Sequence, residues 1–332
     1  VPELPEVETI KRGLNKLIIG RTITAVHSNS TRSFPNAQAD VAHFLINASI
    51  TDIRRRAKVL LIDLSTNYTL VIHLKMTGQL VFVGRAVGAT SRNDPLQPKS
   101  DQVPGPLSDL ERSRIIEESA PKGDHNEARF AGGHPNDSLI GVLPDKSTHV
   151  TFEFTDGSHL YFNDQRKFGW VRLIPTVEVP NIDFMKRVGP EPLETDFTAK
   201  QFAQRFKRRA RTKIKAAILD QSVIAGVGNI YADESLWGAK IHPATMVSDL
   251  PYSKFKLLYS EVRYVMNLSI ENGGSTNRNY VNAEGKKGSY MEFARVFRRE
   301  GLPCHRCSAE IIKTRVAGRG THICPSCQRV GR

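Results

Sequence analysis

The sequence predicts a multidomain α+β protein, and three observations carry that reading. Strand-like runs with alternating apolar residues fill residues 22–83 and resume at 149–164. From Asp196 onward the apolar spacing becomes helical. All 4 cysteines fall in the last 29 residues, as Cys304, Cys307, Cys324 and Cys327. A chain of 332 residues holds about two domains of ordinary size.

Val7, Ile10, Leu14, Leu17 and Ile18 recur at intervals of three and four, which predicts an amphipathic helix, and Pro5 suits its first turn. The runs TITAVHS, ITDIRRRAKVLLIDLS, YTLVIHLKM and QLVFV read as strands, with a turn at Ser65-Thr66-Asn67. In HVTFEFTDGSHLYFND, alternation on both sides of Asp156-Gly157 predicts a hairpin. Residues 84–148 hold 7 of the 18 prolines, one aromatic residue (Phe130), and 8 basic against 10 acidic side chains. Such a composition buries too little apolar surface to offset its ordering entropy, so the segment reads as a mobile insertion in a β-domain.

Residues 175–195, with Pro175, Pro180, Pro190 and Pro192, read as a hinge. Helical spacing follows in DFTAKQFAQRFKRRA, KIKAAILDQS, NIYADESLWGAK and SDLPYSKFKLLYSEVRYVMNLSIENG. The expected domains are therefore 1–175, 190–290 and 291–332.

The net charge of +13 and a pI near 9.7 point either to a polyanionic partner, nucleic acid first, or equally to a merely basic soluble protein. No apolar run approaches the ~20 residues of a membrane span. VPELPEVETIKRGL lacks the basic start and apolar stretch of a signal peptide, so a cytoplasmic home is expected.

Cys304-x2-Cys307 and Cys324-x2-Cys327 form two knuckles separated by 16 residues. Four thiolates close a tetrahedron around Zn2+ and leave no position for water, so one structural zinc is expected. AEIIKTRVAGRGTHI between them reads as a hairpin with Arg315 and Arg319 near its tip, either solvated or aimed at phosphate. Lys200 to Lys215 contains 8 basic residues, Arg211 and Lys215 among them, and no acidic one. It is either a wet helix face or, with Gly226-Val227-Gly228-Asn229 nearby, a phosphate platform. Pro2, Glu3 and Glu6 in PELPEVE form either a rigid lead-in to a helix or an amine nucleophile with carboxylates beside it.

Taken together these blocks resemble the formamidopyrimidine-DNA glycosylase family. The likeness runs through PELPEVET, RRAKVLL, HLKMTGQL, NDQRKFG, VGPEPL, AGVGNIYADESLW, GGSTNRNYVNAEGKKGSY and the terminal finger. It covers nearly the whole chain apart from the insertion. The family implies an N-terminal β-sandwich, a helix-two-turn-helix domain with a lesion-recognition loop, and a zinc finger. It also implies a monomer that binds damaged double-stranded DNA, associated with the nucleoid.

By that resemblance Pro2 attacks C1′ of a damaged nucleotide and Glu3 moves the protons. Lys58 assists at phosphate and in β-elimination, Glu6 supports, and Arg319 grips phosphate and serves δ-elimination. Asn229 corresponds to a contact with the same DNA backbone and His149 is the histidine left for another, while Arg211 and Lys215 of the basic run are expected DNA-binding residues. Met76, Arg166 and Phe168 match a wedge that fills the gap left by a flipped base, whose unstacking costs a few kcal/mol. The segment 273–290 corresponds to a loop that closes over the lesion.

Three departures stand out. Val1 replaces the expected methionine, and its retention would convert the Pro2 nitrogen into an amide; a non-AUG start, with the initiator removed, is expected. Gln165 and Lys167 differ from the usual proline and arginine. Ser147 stands where a DNA-contacting histidine is common, leaving only His149. Purine repair with strand nicking is the expected activity. The rivals are the endonuclease VIII-like sister family for oxidised pyrimidines, a non-catalytic lesion binder if Val1 stays, and a zinc-ribbon component of transcription or translation.

Overall fold

The structure, a computed structural model, describes residues 2–85, 127–134, 137–275 and 289–329. Helix α1 (Leu4–Ile18) opens the chain with Glu3 as its N-cap. Glu3 and Glu6 satisfy each other's backbone donors in a capping box, and a proline occupies the first turn. Val7, Ile10, Leu14 and Leu17 bury their side chains in the N-terminal domain, whereas Leu4 belongs to the core of the helical domain. The first turn of α1 is therefore a hinge pin between two domains.

Two antiparallel sheets face each other in the N-terminal domain. The first has the order β1-β7-β8-β5-β6, from β1 (Ile23–Ser28), β5 (Gly78–Arg85), β6 (Glu127–Gly133), β7 (Thr148–Phe154) and β8 (His159–Asp164). The second runs β2-β3-β4-β9, from β2 (Ile50–Arg56), β3 (Val59–Leu64), β4 (Tyr68–His73) and β9 (Trp170–Pro175). Phe82, Phe152 and Phe162 from one sheet and Ile53, Ile62 and Ile72 from the other share a single core with α1. That is a β-sandwich, as expected.

The insertion is shorter than the sequence predicts. Residues 127–133 pair with β5 along its whole length, and Phe130 is buried against α1. A Cβ on Gly13 would lie 2.0 Å from the Phe130 ring, so glycine there lets the helix and the edge strand touch. Only 86–126 of the predicted insertion lie outside the described residues, with 135 and 136.

The segment 175–195 contains a short 3-10 turn and α3 (Asp183–Arg187). Four helices follow: α4 (Ala199–Lys207), α5 (Ile214–Leu219), α6 (Asn229–Gly238) and α7 (Tyr252–Glu271). Thr198 and Gln201 cap α4 reciprocally. Every residue of α6 from Tyr231 to Gly238 is buried, which makes it the central helix of this domain. Strands β10 (Ile312–Val316) and β11 (Arg319–Ile323) form the predicted terminal hairpin, turning at Ala317-Gly318, both with positive φ.

Glu191 joins the halves. Its carboxylate accepts from Arg55 Nη1 at 2.8 Å, Arg56 Nη1 at 3.0 Å and the Ala57 backbone N–H at 2.5 Å. Among the described residues no helix is long and apolar enough to cross a membrane.

Candidate active site

Elements from all three domains meet at the start of α1. The Leu4 backbone N–H donates to the Gly226 carbonyl at 3.1 Å, which seats the helix on the turn before α6. Gly226 has φ +80°, and a Cβ there would meet the Leu4 side chain at 2.5 Å. Pro2, also buried, is thereby held at this junction. Val1 lies outside the described residues.

Glu3 is 3 % exposed and points at the N-terminus of α6. Its Oε1 accepts from the Ile230 backbone N–H at 3.1 Å, while Oε2 is buried without a partner. A Cβ on Gly228 would lie 2.2 Å from Glu3 Cδ, so only glycine leaves room for this carboxyl group. Burial raises the Glu3 pKa to about 7, against the downward pull of Lys58 and the Ile230 N–H, with the Glu6 charge adding to the rise. A carboxyl that is half protonated near neutrality can both give and take a proton.

Lys58 stands at the tip of the β2–β3 hairpin, where Ala57 has φ +53°. Its Nζ donates to the Val227 carbonyl at 3.0 Å. Burial lowers its pKa, against the stabilising charges of Glu3 and Glu6, and Arg319 lowers it further. Glu6 accepts from the Glu3 N–H at 2.7 Å, from Tyr231 Oη at 2.5 Å and from the Ser275 N–H at 2.8 Å. Pro2, Glu3, Lys58 and Glu6 thus form one neighbourhood.

Arg319 is exposed at the turn of the finger hairpin. Next to it the Gly320 carbonyl accepts from Asn229 Nδ2 at 3.0 Å, which brings the finger tip to the start of α6. Asn229 Oδ1 has no partner. The α6 N-terminus was expected to offer its backbone donors to phosphate, but the Ile230 donor is taken by Glu3.

Two expected DNA contacts are placed otherwise. Lys215 is fully buried, with Nζ 2.6 Å from Asp233 Oδ1, 2.9 Å from the Gly320 carbonyl and 2.7 Å from Thr321 Oγ1. It ties the finger to α5 and α6 and presents nothing to solvent, unlike exposed Arg211. His149 is also buried, with Nδ1 3.0 Å from Asn29 Oδ1 and Nε2 2.9 Å from the Asp164 carbonyl. Both nitrogens are spent inside the protein, so His149 braces the sheet rather than offering a phosphate contact. Ser147 beside it is buried and bonded to Asp145.

Met76 and Phe168, 39 % and 40 % exposed, stand together on the sandwich. Arg166 Nη1 lies 3.3 Å from Met76 Sδ, and its guanidinium carbon lies 4.9 Å from the Phe168 ring centre. Arg32 stacks over the same ring at 5.6 Å. Sequence reasoning missed Asp164, which holds this cluster. Its buried carboxylate accepts from Thr77 Oγ1, the Arg166 N–H at 3.2 Å and the Gly169 N–H at 2.6 Å. Of the loop 273–290 expected over the lesion, residues 276–288 lie outside the described residues.

The four cysteine sulfurs lie within 4.8 Å of one another, with separations of 3.3, 3.4 and 4.0 Å among three of the pairs. Tetrahedral zinc with Zn–S bonds of ~2.3 Å needs sulfurs about 3.8 Å apart, so the four residues fit one zinc ion.

Comparison with known proteins agrees along the chain. Residues 1–171 match the formamidopyrimidine-DNA glycosylase N-terminal domain, 188–281 its H2TH domain, and 301–330 the zinc finger found in FPG and IleRS. A formamidopyrimidine-DNA glycosylase of Latilactobacillus sakei is 34 % identical over 328 residues, 99 % of this chain and 98 % of that protein. Among solved structures, Lactococcus lactis Fpg in complex with an abasic-site-containing DNA aligns with TM-score 0.75 and 32 % identity, covering 98 % of this chain and 99 % of that one. MutM in complex with carbocyclic 8-oxo-G-containing DNA gives TM-score 0.74 at 32 % identity, covering 99 % of this chain and 100 % of that one.

Proposed function

Because the chain belongs to the formamidopyrimidine-DNA glycosylase family, we propose that it excises oxidised purines, 8-oxoguanine and formamidopyrimidines, from duplex DNA and nicks the strand by β,δ-elimination through a Schiff base on Pro2. The observation that carries this is the buried Pro2-Glu3 start of α1, seated beside Lys58 with Glu3 raised to about 7.

In this reading the Pro2 nitrogen lone pair attacks C1′, and the C1′–N bond to the damaged base breaks. Glu3 in its acid form delivers a proton as the sugar ring opens. That opening follows loss of the nitrogen's own proton to the departing base, which frees the lone pair that expels O4′ and forms the iminium ion, and the iminium makes the C2′ proton acidic enough to remove. β-Elimination expels the 3′ phosphate, and Arg319 stabilises the phosphate that leaves in δ-elimination. Lys58, with a lowered pKa, sits where it can balance the developing phosphate charge. Zinc, held by the four cysteines, fixes the hairpin that carries Arg319. The reaction requires an unblocked Pro2 nitrogen, so the active form begins at Pro2.

Met76, Arg166 and Phe168 fill the stack after base flipping, an apolar plug with a cation facing the orphaned partner. Solved relatives bound to abasic and 8-oxo-G DNA support the substrate class. A duplex with 8-oxoguanine opposite cytosine, run against one with thymine glycol, tests it. Faster release of 8-oxoguanine is expected, and preference for thymine glycol would assign the chain to pyrimidine repair.

A further inference from the structure

Three helices converge on Glu6. α1 carries it, α6 brings Tyr231, and α7 brings Ser269, and the last two are fully buried. Tyr231 Oη lies 2.5 Å from both Glu6 Oε1 and Ser269 Oγ. The Ser275 N–H completes the shell of Oε1 and the Glu3 N–H that of Oε2. An ionised carboxylate only accepts, and a tyrosine has one proton to give. With that proton on Glu6, Ser269 must donate to Tyr231, so the order of donors is fixed.

We infer that Ser269 and Tyr231 are positioning residues, a one-way donor chain that holds Glu6 as the anion and thereby keeps the proton of the Glu3–Glu6 pair on Glu3. This rests on the proposed role of Glu3 as acid. Burial and the Glu6 charge push the Tyr231 pKa well above its ordinary value, so Tyr231 remains a donor across the working range. The other charged side chains facing this pair are Lys58 from the β2–β3 turn and Lys215 from α5. Neither is altered by changing Tyr231.

Removing the tyrosine hydroxyl raises every state with ionised Glu6 by the same amount. The productive state and the doubly ionised state rise together, while the state with the proton on Glu6 does not. The plateau rate falls, the alkaline limb moves to higher pH by the same factor, and the two curves meet beyond it.

The test is single-turnover excision of 8-oxoguanine opposite cytosine by full-length Tyr231→Phe and Ser269→Ala between about pH 5 and 9. For Tyr231→Phe a plateau about tenfold lower is expected, the size of a lost hydrogen bond to a charged group, with the limb about one pH unit higher. Ser269→Ala should show the same coupled pattern, smaller, and decides the matter alone if Tyr231→Phe does not fold. A lower plateau with an unmoved limb, or an unchanged profile, overturns the inference. Borohydride trapping of the parent on an abasic duplex separates the two readings. A parent that traps while both limbs stay put overturns only the donor chain; a parent that does not trap removes the proposed function and this inference with it.

Discussion

Lys215 Nζ and Asp233 Oδ1 lie 2.6 Å apart with no solvent reaching either side chain. The pair is the bolt between the helical domain and the finger, because the same ammonium holds Gly320 and Thr321 and the same carboxylate accepts from the His322 N–H at 2.9 Å. Breaking a buried pair from one side strands a charge, at a cost of about 3–5 kcal/mol. Lys215→Met should therefore lower stability by that order in urea unfolding, and Lys215→Met with Asp233→Asn should lose less. Equal losses in the single and double variants would show that the stranded charge is not the cause.

Gly228→Ala places a methyl group against the Glu3 carboxyl, 2.2 Å from its carbon. Either Glu3 moves or the turn before α6 does. Excision in single turnover should fall by about 10²-fold or more, the contribution of a positioned acid, while abasic-duplex affinity stays within a few-fold. Equal loss of binding and excision would point to a collapsed turn instead.

A carboxyl raised from 4.5 to about 7 binds its proton more tightly in the folded state than in the unfolded one. Its effect on stability is neutral below about pH 4.5, and stability is lost as pH rises from there through 7. Glu3→Gln removes the ionisation. It should be more stable than the parent at pH 8 by about 3 kcal/mol and little different near pH 4.5, measured by denaturant unfolding. Its excision rate should be low and should lose the alkaline limb.

Chelation of zinc should release the finger while the sandwich stays folded, since the two cores are separate. The reporter is built in: Trp237 lies under the Arg306 guanidinium, 3.9 Å from its ring centre, and Arg306 sits between two of the cysteines. A strong chelator should change tryptophan fluorescence and lower DNA affinity together, with the β-sheet circular dichroism retained. Global unfolding would contradict this.

Asp164→Ala removes the acceptor that pins Arg166 and Gly169. Excision from a paired duplex should fall about tenfold or more, with weaker discrimination by the base opposite the lesion, and nicking of a preformed abasic site should change less. Unchanged opposite-base preference would dissociate Asp164 from the wedge.

Much of this was legible in the sequence wherever local pattern and tertiary role coincide. The cysteine knuckles, the Asp156-Gly157 hairpin and Pro5 in the first turn of α1 are such cases. Helix α2 (Gln38–Phe44) left no signal because it buries no residue, and β6 left little because Phe130 is its one large apolar side chain. Lys215 looked like one more exposed cation in a basic run. The contrary signal lay in α6, where Asp233 and Glu234 sit among Ile230, Tyr231, Ala232, Leu236 and Trp237, and buried carboxylates need partners. Resemblance carried the roles of Pro2 and Met76, since neither spacing nor composition separates a nucleophile from a helix lead-in or a wedge from a core methionine.

The most direct measurement is peptide mapping of the borohydride-reduced adduct with an abasic duplex. The sugar fragment should be found on the Pro2 nitrogen of a chain whose first residue is Pro2. An adduct on Lys58, or an active preparation whose chains all retain Val1, would contradict catalysis by that amine.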